Sequence, residues 1–232
     1  MNHIIVKKNI LKVTIASLAS LLAFNVAAED GAESWGSPVA TFSNVSLGSG
    51  SEGVDINATF GGYLSGVYKH RLEFASKEDM DHYEVNYLLF NSVSESGITI
   101  DSTWSEDVEY EDYEGSGKRH YYDVNSVDAG LFSKLVFPDP NFTAFPKMSV
   151  GYMWGDSIVD TTYVDLEVAV RYSFKEMFWV GVTPVFTHSM EGIEIDEFSG
   201  SIEGGIKLSE TFGISASYND DDEFIGNVIF AF

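Results

Sequence analysis

The chain has 232 residues and no cysteine, so neither a disulfide framework nor a thiolate metal site is available to it. With 36 acidic against 13 basic side chains, its net charge of −23 excludes nucleic acid as a partner, because phosphates demand a basic surface. A hydrophobic fraction of 44%, an aromatic fraction of 14% and 21 glycines suit a sheet protein whose strands carry one apolar face.

The chain opens with Lys7, Lys8 and Lys12 ahead of an apolar run from Val13 to Val26. Val26-Ala27-Ala28 then offers the small residues that a signal peptidase reads. The pattern predicts a signal peptide over 1–28, cleaved after Ala28, a flexible leader over 29–36 and one folded domain over 37–232. No other stretch approaches the roughly 20 apolar residues of a membrane helix.

A weak strand is expected from Pro38 to Leu47, followed by a turn at Gly48–Gly53. Val54, Ile56, Ala58 and Phe60 alternate with Asp55, Asn57 and Thr59, the period of two of a half-buried strand. Gly61–Gly66 reads either as a turn or as a flexible point in one long strand, and that choice decides the strand count. Further alternating runs start near Tyr68, Tyr83, Ile98, Tyr121, Met148, Val164, Phe178, Gly200 and Phe212. A polar loop is expected over 105–120 and a tight turn at Lys175-Glu176.

The chain ends on Phe224-Ile-Gly-Asn-Val-Ile-Phe-Ala-Phe232. Phe224, Val228, Phe230 and Phe232 share one side of this strand, because side chains alternate across it. The segment resembles the C-terminal assembly signal of Gram-negative outer-membrane β-barrels, and it implies recognition by the barrel assembly machinery during biogenesis. Segments of about ten residues that alternate and are separated by turns agree with such a barrel. Aromatic residues near both ends of the apolar faces read as two girdles. The expected fold is all-β, an antiparallel up-and-down transmembrane barrel of twelve strands, or ten if Gly61–Gly66 is not a turn. The loops at 76–81, 105–120, 155–161, 190–197 and 219–223 then share one end, external by the same resemblance. Those near 94–97, 138–145, 175–176 and 209–210 share the other.

Alternation assigns the side chains expected to line the lumen. The basic ones are Lys69, Arg71, Lys134, Lys147, Arg171 and Lys207. The acidic ones are Glu73, Glu84, Asp101, Asp128, Asp165, Glu167 and Glu203. Mixed charges of this kind either set a transverse field across a polar pore or pair and plug a narrow barrel, since enclosed charges are costly unless paired. The acidic runs Glu106–Glu114, Glu191–Glu197 and Asn219–Glu223 belong to external loops. Hard cations favour such oxygen ligands, but no EF-hand spacing is present, and solvated, self-repelling loops are the simpler reading. No metal or other cofactor is expected.

Catalysis finds little support. His70, His82, His120 and His188 are scattered without metal-ligand spacing. His188, Ser189 and Asp196 fall near one loop, but neighbours along a strand face opposite ways, and no nucleophile-elbow pattern occurs.

Tyr68-Lys-His-Arg-Leu-Glu73 through Trp104 is similar to the opening hairpins of the oligogalacturonate-specific porin family, small barrels of twelve strands. That family carries acidic oligosaccharides along arginine-rich walls, whereas here only Arg71 and Arg171 are proposed for the lumen. The resemblance implies a small channel. The expectation is passive passage of small polar solutes, with outer-membrane lipid and lipopolysaccharide around the barrel. A closed structural or surface-contact barrel acting through its acidic loops is the competing class.

Overall fold

The computed structural model describes residues 35–51, 53–111, 119–156, 158–174, 177–220 and 222–232, the side chains of 107–111 and 119–122 excepted. The leader to residue 34, with its cleavage position, and the turn at Lys175-Glu176 lie outside the described residues. In chain order the strands are β1 (Asn44–Gly50), β2 (Gly53–Ser65), β3 (Tyr68–Lys77), β4 (His82–Asn91), β5 (Ser96–Glu111), β6 (Arg119–Ser133) and β7 (Leu135–Val136). They continue with β8 (Phe142–Gly155), β9 (Thr161–Phe174), β10 (Phe178–Glu191), β11 (Asp196–Lys207), β12 (Phe212–Asn219) and β13 (Phe224–Ala231).

Each strand pairs antiparallel with its neighbours, and β1 closes the ring on β13 from Asn44↔Ala231 to Gly50↔Ile225. The two-residue β7 continues β6 past Lys134 and pairs with the same neighbour, β8. Thirteen segments therefore make twelve staves of a closed barrel. Closure gives every stave a partner on both sides, so no edge is left with unpaired backbone groups.

Gly61–Gly66 resolves in favour of twelve. β2 runs through Gly61 and Gly62 to Ser65, and the chain turns at Gly66-Val67. Gly66 has φ +56°, a left-handed conformation that a residue without a Cβ adopts at little cost.

Several expected boundaries move: the turn expected at Gly48–Gly53 narrows, since β1 runs to Gly50 and β2 starts at Gly53, and the loop expected at 190–197 shortens between Glu191 and Asp196. The strand placed at Pro38–Leu47 begins only at Asn44. Pro38 has no N–H for a ladder, and Ala40 N–H instead donates to Ser37 O at 2.9 Å, forming a turn around it. The loop expected over 105–120 is largely wall, since β5 reaches Glu111 and β6 starts at Arg119. Backbone pairing there, such as Glu109↔Tyr121, does not depend on the polarity of the sequence. On the opposite rim, Phe142–Phe145 belong to β8 rather than to the connection before it.

The two faces of the wall differ as the alternation requires. Outward-pointing Ile98, Ile100, Leu131, Val150, Leu166, Val168, Val180, Val182, Ile202 and Val228 are exposed on the outside. Aromatic pairs Phe137–Phe142, Phe174–Phe178 and Phe212–Phe230 gather at the end holding the C-terminus, called here the near end. Trp104, Tyr152, Tyr218 and Phe224 lie toward the far end. An apolar belt between aromatic rings matches a bilayer. Val168→Arg, on the outer face of β9, should therefore lower folding stability in lipid vesicles by about 2–4 kcal/mol. Ser217→Arg, on the inner face of β12, should cost much less, and urea titration of both variants measures the difference.

Candidate functional site: the lumen

Where the outer face is apolar, the inner face of the same strands is polar and charged. The six basic side chains expected there are spread from the near end to mid-depth. At the near end, Lys69, Lys134 and Arg171 line one cavity of about 270 Å³, together with Phe90, Glu95, Asn141 and Phe145. Lys134 Nζ lies 3.7 Å from Glu95, and Lys69 Nζ sits 4.8 Å over the Tyr63 ring. Lys207, also near this rim, is largely buried and bonds the turn residue Glu210 at 2.7 Å. Further in, Arg71 faces Glu73 at 3.7 Å.

At mid-depth Lys147 projects from β8 between two acids, 2.9 Å from Asp101 on β5 and 3.4 Å from Glu167 on β9. Asp128 accepts a hydrogen bond from the Tyr163 hydroxyl at 3.1 Å, and Asp165 accepts one from Thr187 Oγ1 at 2.7 Å. Arg171 makes a close ion pair with Glu203 on β11 and donates to Gly36 O at 3.1 Å, Val170 O at 3.0 Å and Thr183 Oγ1 at 3.2 Å. Toward the far end Glu84 receives Lys77 Nζ at 2.7 Å and His82 Nε2 at 3.0 Å. There a cavity of about 420 Å³ is lined by Asp55, Lys77, Glu84, Glu203 and Glu223 among others.

The fold decides what such a wall belongs to. No family model matches the chain, and no curated protein matches it in sequence. Among solved structures, the NanC porin aligns with a TM-score of 0.52 at 7% identity, over 82% of this chain and 98% of that one. The fold is that of a small, closed outer-membrane-type β-barrel. The KdgM porin in complex with disordered oligogalacturonate aligns over the same shares at TM-score 0.49 and 7% identity. A loop L8 deletion mutant of OmpT, an outer membrane protein of Vibrio cholerae, aligns at 0.43 and 9%, over 92% of this chain and 72% of that one. The small barrel of twelve strands implied by the resemblance of Tyr68 to Trp104 is the fold observed.

In this barrel one element of the lumen is absent from the strand pattern. Trp35–Ser43 runs inside the barrel, where Val39 is buried with Leu88, Phe90, Phe132, Phe145 and Ala169 of the inner wall. The alternation rule assigns the wall residues of this cluster inward but gives no sign that a second segment covers them. Pro38, misplaced in an expected strand, and Trp35 and Phe42, whose rings lie 5.3 Å apart, were the available signals. The rule also left out Asp55, Lys77 and His82, which fall on the inner face near the far rim.

Three of the four residues expected to form a C-terminal assembly signal point outward. Phe224, Val228 and Phe230 are exposed on the lipid side of β13, and Phe232 N–H donates to Ser43 O at 3.1 Å, which ties the C-terminus to the start of β1. His188 and Asp196 meet at 3.6 Å across β10 and β11, both exposed. Ser189 Oγ instead accepts from Ile195 N–H at 2.9 Å, so these three residues form no relay. Among the described residues, no group of three His, Asp or Glu side chains is arranged to hold a metal ion.

Lys147 carries the mid-lumen charge balance. Lys147→Ala leaves Asp101 and Glu167 facing each other without a cation. About a fifth of each side chain is exposed, so the loss should fall below the ~3–5 kcal/mol of a fully buried pair, at about 1–3 kcal/mol. Adding Asp101→Asn and Glu167→Gln to Lys147→Ala should recover most of that stability in the same urea titration.

Proposed function

We propose that the protein is an outer-membrane channel for the passive passage of small polar solutes. Its leader is cleaved after Ala28, its apolar belt faces lipid and lipopolysaccharide, and its terminal Phe232 addresses it to the barrel assembly machinery. The observation that carries the reading is the bore itself. Twelve staves enclose cavities lined by charged and hydroxyl side chains from most of the strands, and strand number sets how wide such a lumen is. A barrel that served only as a membrane staple would gain more from a packed apolar interior, because paired charges seldom stabilise more than well-packed hydrophobic groups do.

Mixed charge suits a general filter better than a dedicated one. Lys147 between Asp101 and Glu167, and Arg171 beside Glu203, place paired cationic and anionic groups side by side on the lumen wall. A polar solute passes along them by exchanging water for protein dipoles. The far mouth is acidic, with Asp55, Glu84 and Glu223 lining its cavity. It raises the local concentration of cations and favours small cationic or neutral solutes over anions. Arginine-poor walls argue against acidic oligosaccharides as the solute. The protein acts without chemistry on what it passes.

One observation favours a closed structural barrel instead, namely that the Trp35–Ser43 segment lies across the bore. Single-channel recording of the refolded protein in a planar bilayer separates the two. Reproducible steps with a preference for cations, shifted toward anions by Glu167→Ala and further toward cations by Arg171→Ala, are the expected result. Silence from a correctly folded barrel selects the closed reading. Mass spectrometry of protein purified from outer membranes should find Glu29 at the N-terminus; an intact leader would refute cleavage after Ala28.

A further inference from the structure

Nine residues of the chain, Trp35–Ser43, are spent inside the barrel before the first stave begins. They reach from wall to wall. Ser43 is fixed beside β2, where its hydroxyl donates to Gly61 O at 3.4 Å and accepts from Gly61 N–H at 3.2 Å. Val39 is buried with Phe145 of β8, the stave diametrically opposite β1 in the ring.

The wall is shaped to receive this strap. Gly61 stands where the Thr41 backbone passes, and a Cβ there would overlap it. Gly213 leaves room for the Trp35 ring in the same way, and at Gly36 the strap itself is bare against the Trp179 indole. Two guanidinium groups of the wall hold strap carbonyls, Arg171 Nε to Gly36 O at 3.1 Å and Arg71 Nη1 to Ala40 O at 3.5 Å. Polar anchors at two carbonyls, an apolar seat for Val39 and relief from side chains at close approaches are independent features, and they agree.

The strap also divides the space. Its residues line the near-end cavity of about 270 Å³ on one side and a cavity of about 420 Å³ on the other, and Arg171 borders both. We propose that Trp35–Ser43 is the constriction element of the channel, setting the largest solute that passes between the near end and the rest of the bore. This inference rests on the channel reading above. Size selection then resides in a segment that enters from the N-terminal side, and the external loops are left free for surface contacts. The apolar seat is as important as the arginines, because it fixes the depth to which the strap projects. The burial of one valine holds it there.

The test compares the refolded wild-type protein with a variant lacking residues 35–42 and with Val39→Asp, which puts a carboxylate into the apolar seat. Heat-modifiable migration on gels establishes that each barrel is folded, and bilayer conductance with polyethylene glycols of graded size reads the bore. Both variants should conduct roughly twofold or more above wild type and admit larger polymers. Equal conductance and an equal polymer cut-off in all three folded proteins would overturn the strap inference and leave the channel reading standing. A silent wild type with a conducting deletion variant keeps the strap as the obstructing element and overturns passive passage by the intact protein. Silence from all three overturns both.

Discussion

In hydrocarbon there is no water to satisfy a backbone N–H or C=O, and that one constraint shapes everything else in the molecule. A sheet can obey it only by closing, so β1 must find β13, and it does over seven consecutive residue pairs. The seam is also where the two ends of the folded domain meet: Phe232 N–H donates to the carbonyl of Ser43, one residue before β1. Closure forces every strand to have an inside and an outside. Most hydrophobic side chains then go to the lipid face, and polar ones are left to the lumen whatever their function.

Lumen charge follows from that geometry, but its pairing does not. Enclosed ions are costly unless they meet a partner, and the partners here come from strands that are distant in sequence. Lys147 takes Asp101 from 46 residues earlier. Arg171 takes Glu203 from two staves away, with β10 between them contributing Thr183. These cross-strand bonds give the interior a fixed arrangement, in which the charged side chains are held in place by one another. The same bonds leave the bore less highly charged than the count of its lysines, arginines and acids suggests.

How much of this was legible in the sequence depends on which force fixes each part. Period-two alternation is a direct consequence of strand geometry, so the faces of β3, β4, β9 and β13 were readable residue by residue. The turn at Gly66 was only half readable: Gly61–Gly66 allowed a turn or a flexible point in one long strand, and the backbone, with its positive φ at Gly66, decides between them. The far ends of β5 and β6 were not, because backbone pairing extends into acidic sequence that carries no apolar signal. Pairing partners were also hidden: alternation says that Lys147 points inward, but only register and barrel tilt bring it to Asp101 and Glu167.

Trp35–Ser43 was the least legible of all, for a physical reason. A segment enclosed by a barrel packs irregularly on all sides, so it has no period of its own. Its fit is written mainly in the wall, as absent side chains at Gly61 and Gly213 and as the apolar residues Leu88, Phe90, Phe132 and Phe145 on a face otherwise given to polar groups. Those four are the anomaly that matters. An aqueous lumen gives an inward-facing Leu or Phe no reason to exist, and burial of such a side chain is worth about 1.5–3 kcal/mol only when something covers it. Apolar residues on the lumen side of a barrel strand therefore imply an occupant. Here they all lie toward the near end, within reach of a nine-residue segment leading into β1, so the strap follows from the wall as much as the wall follows from the strap.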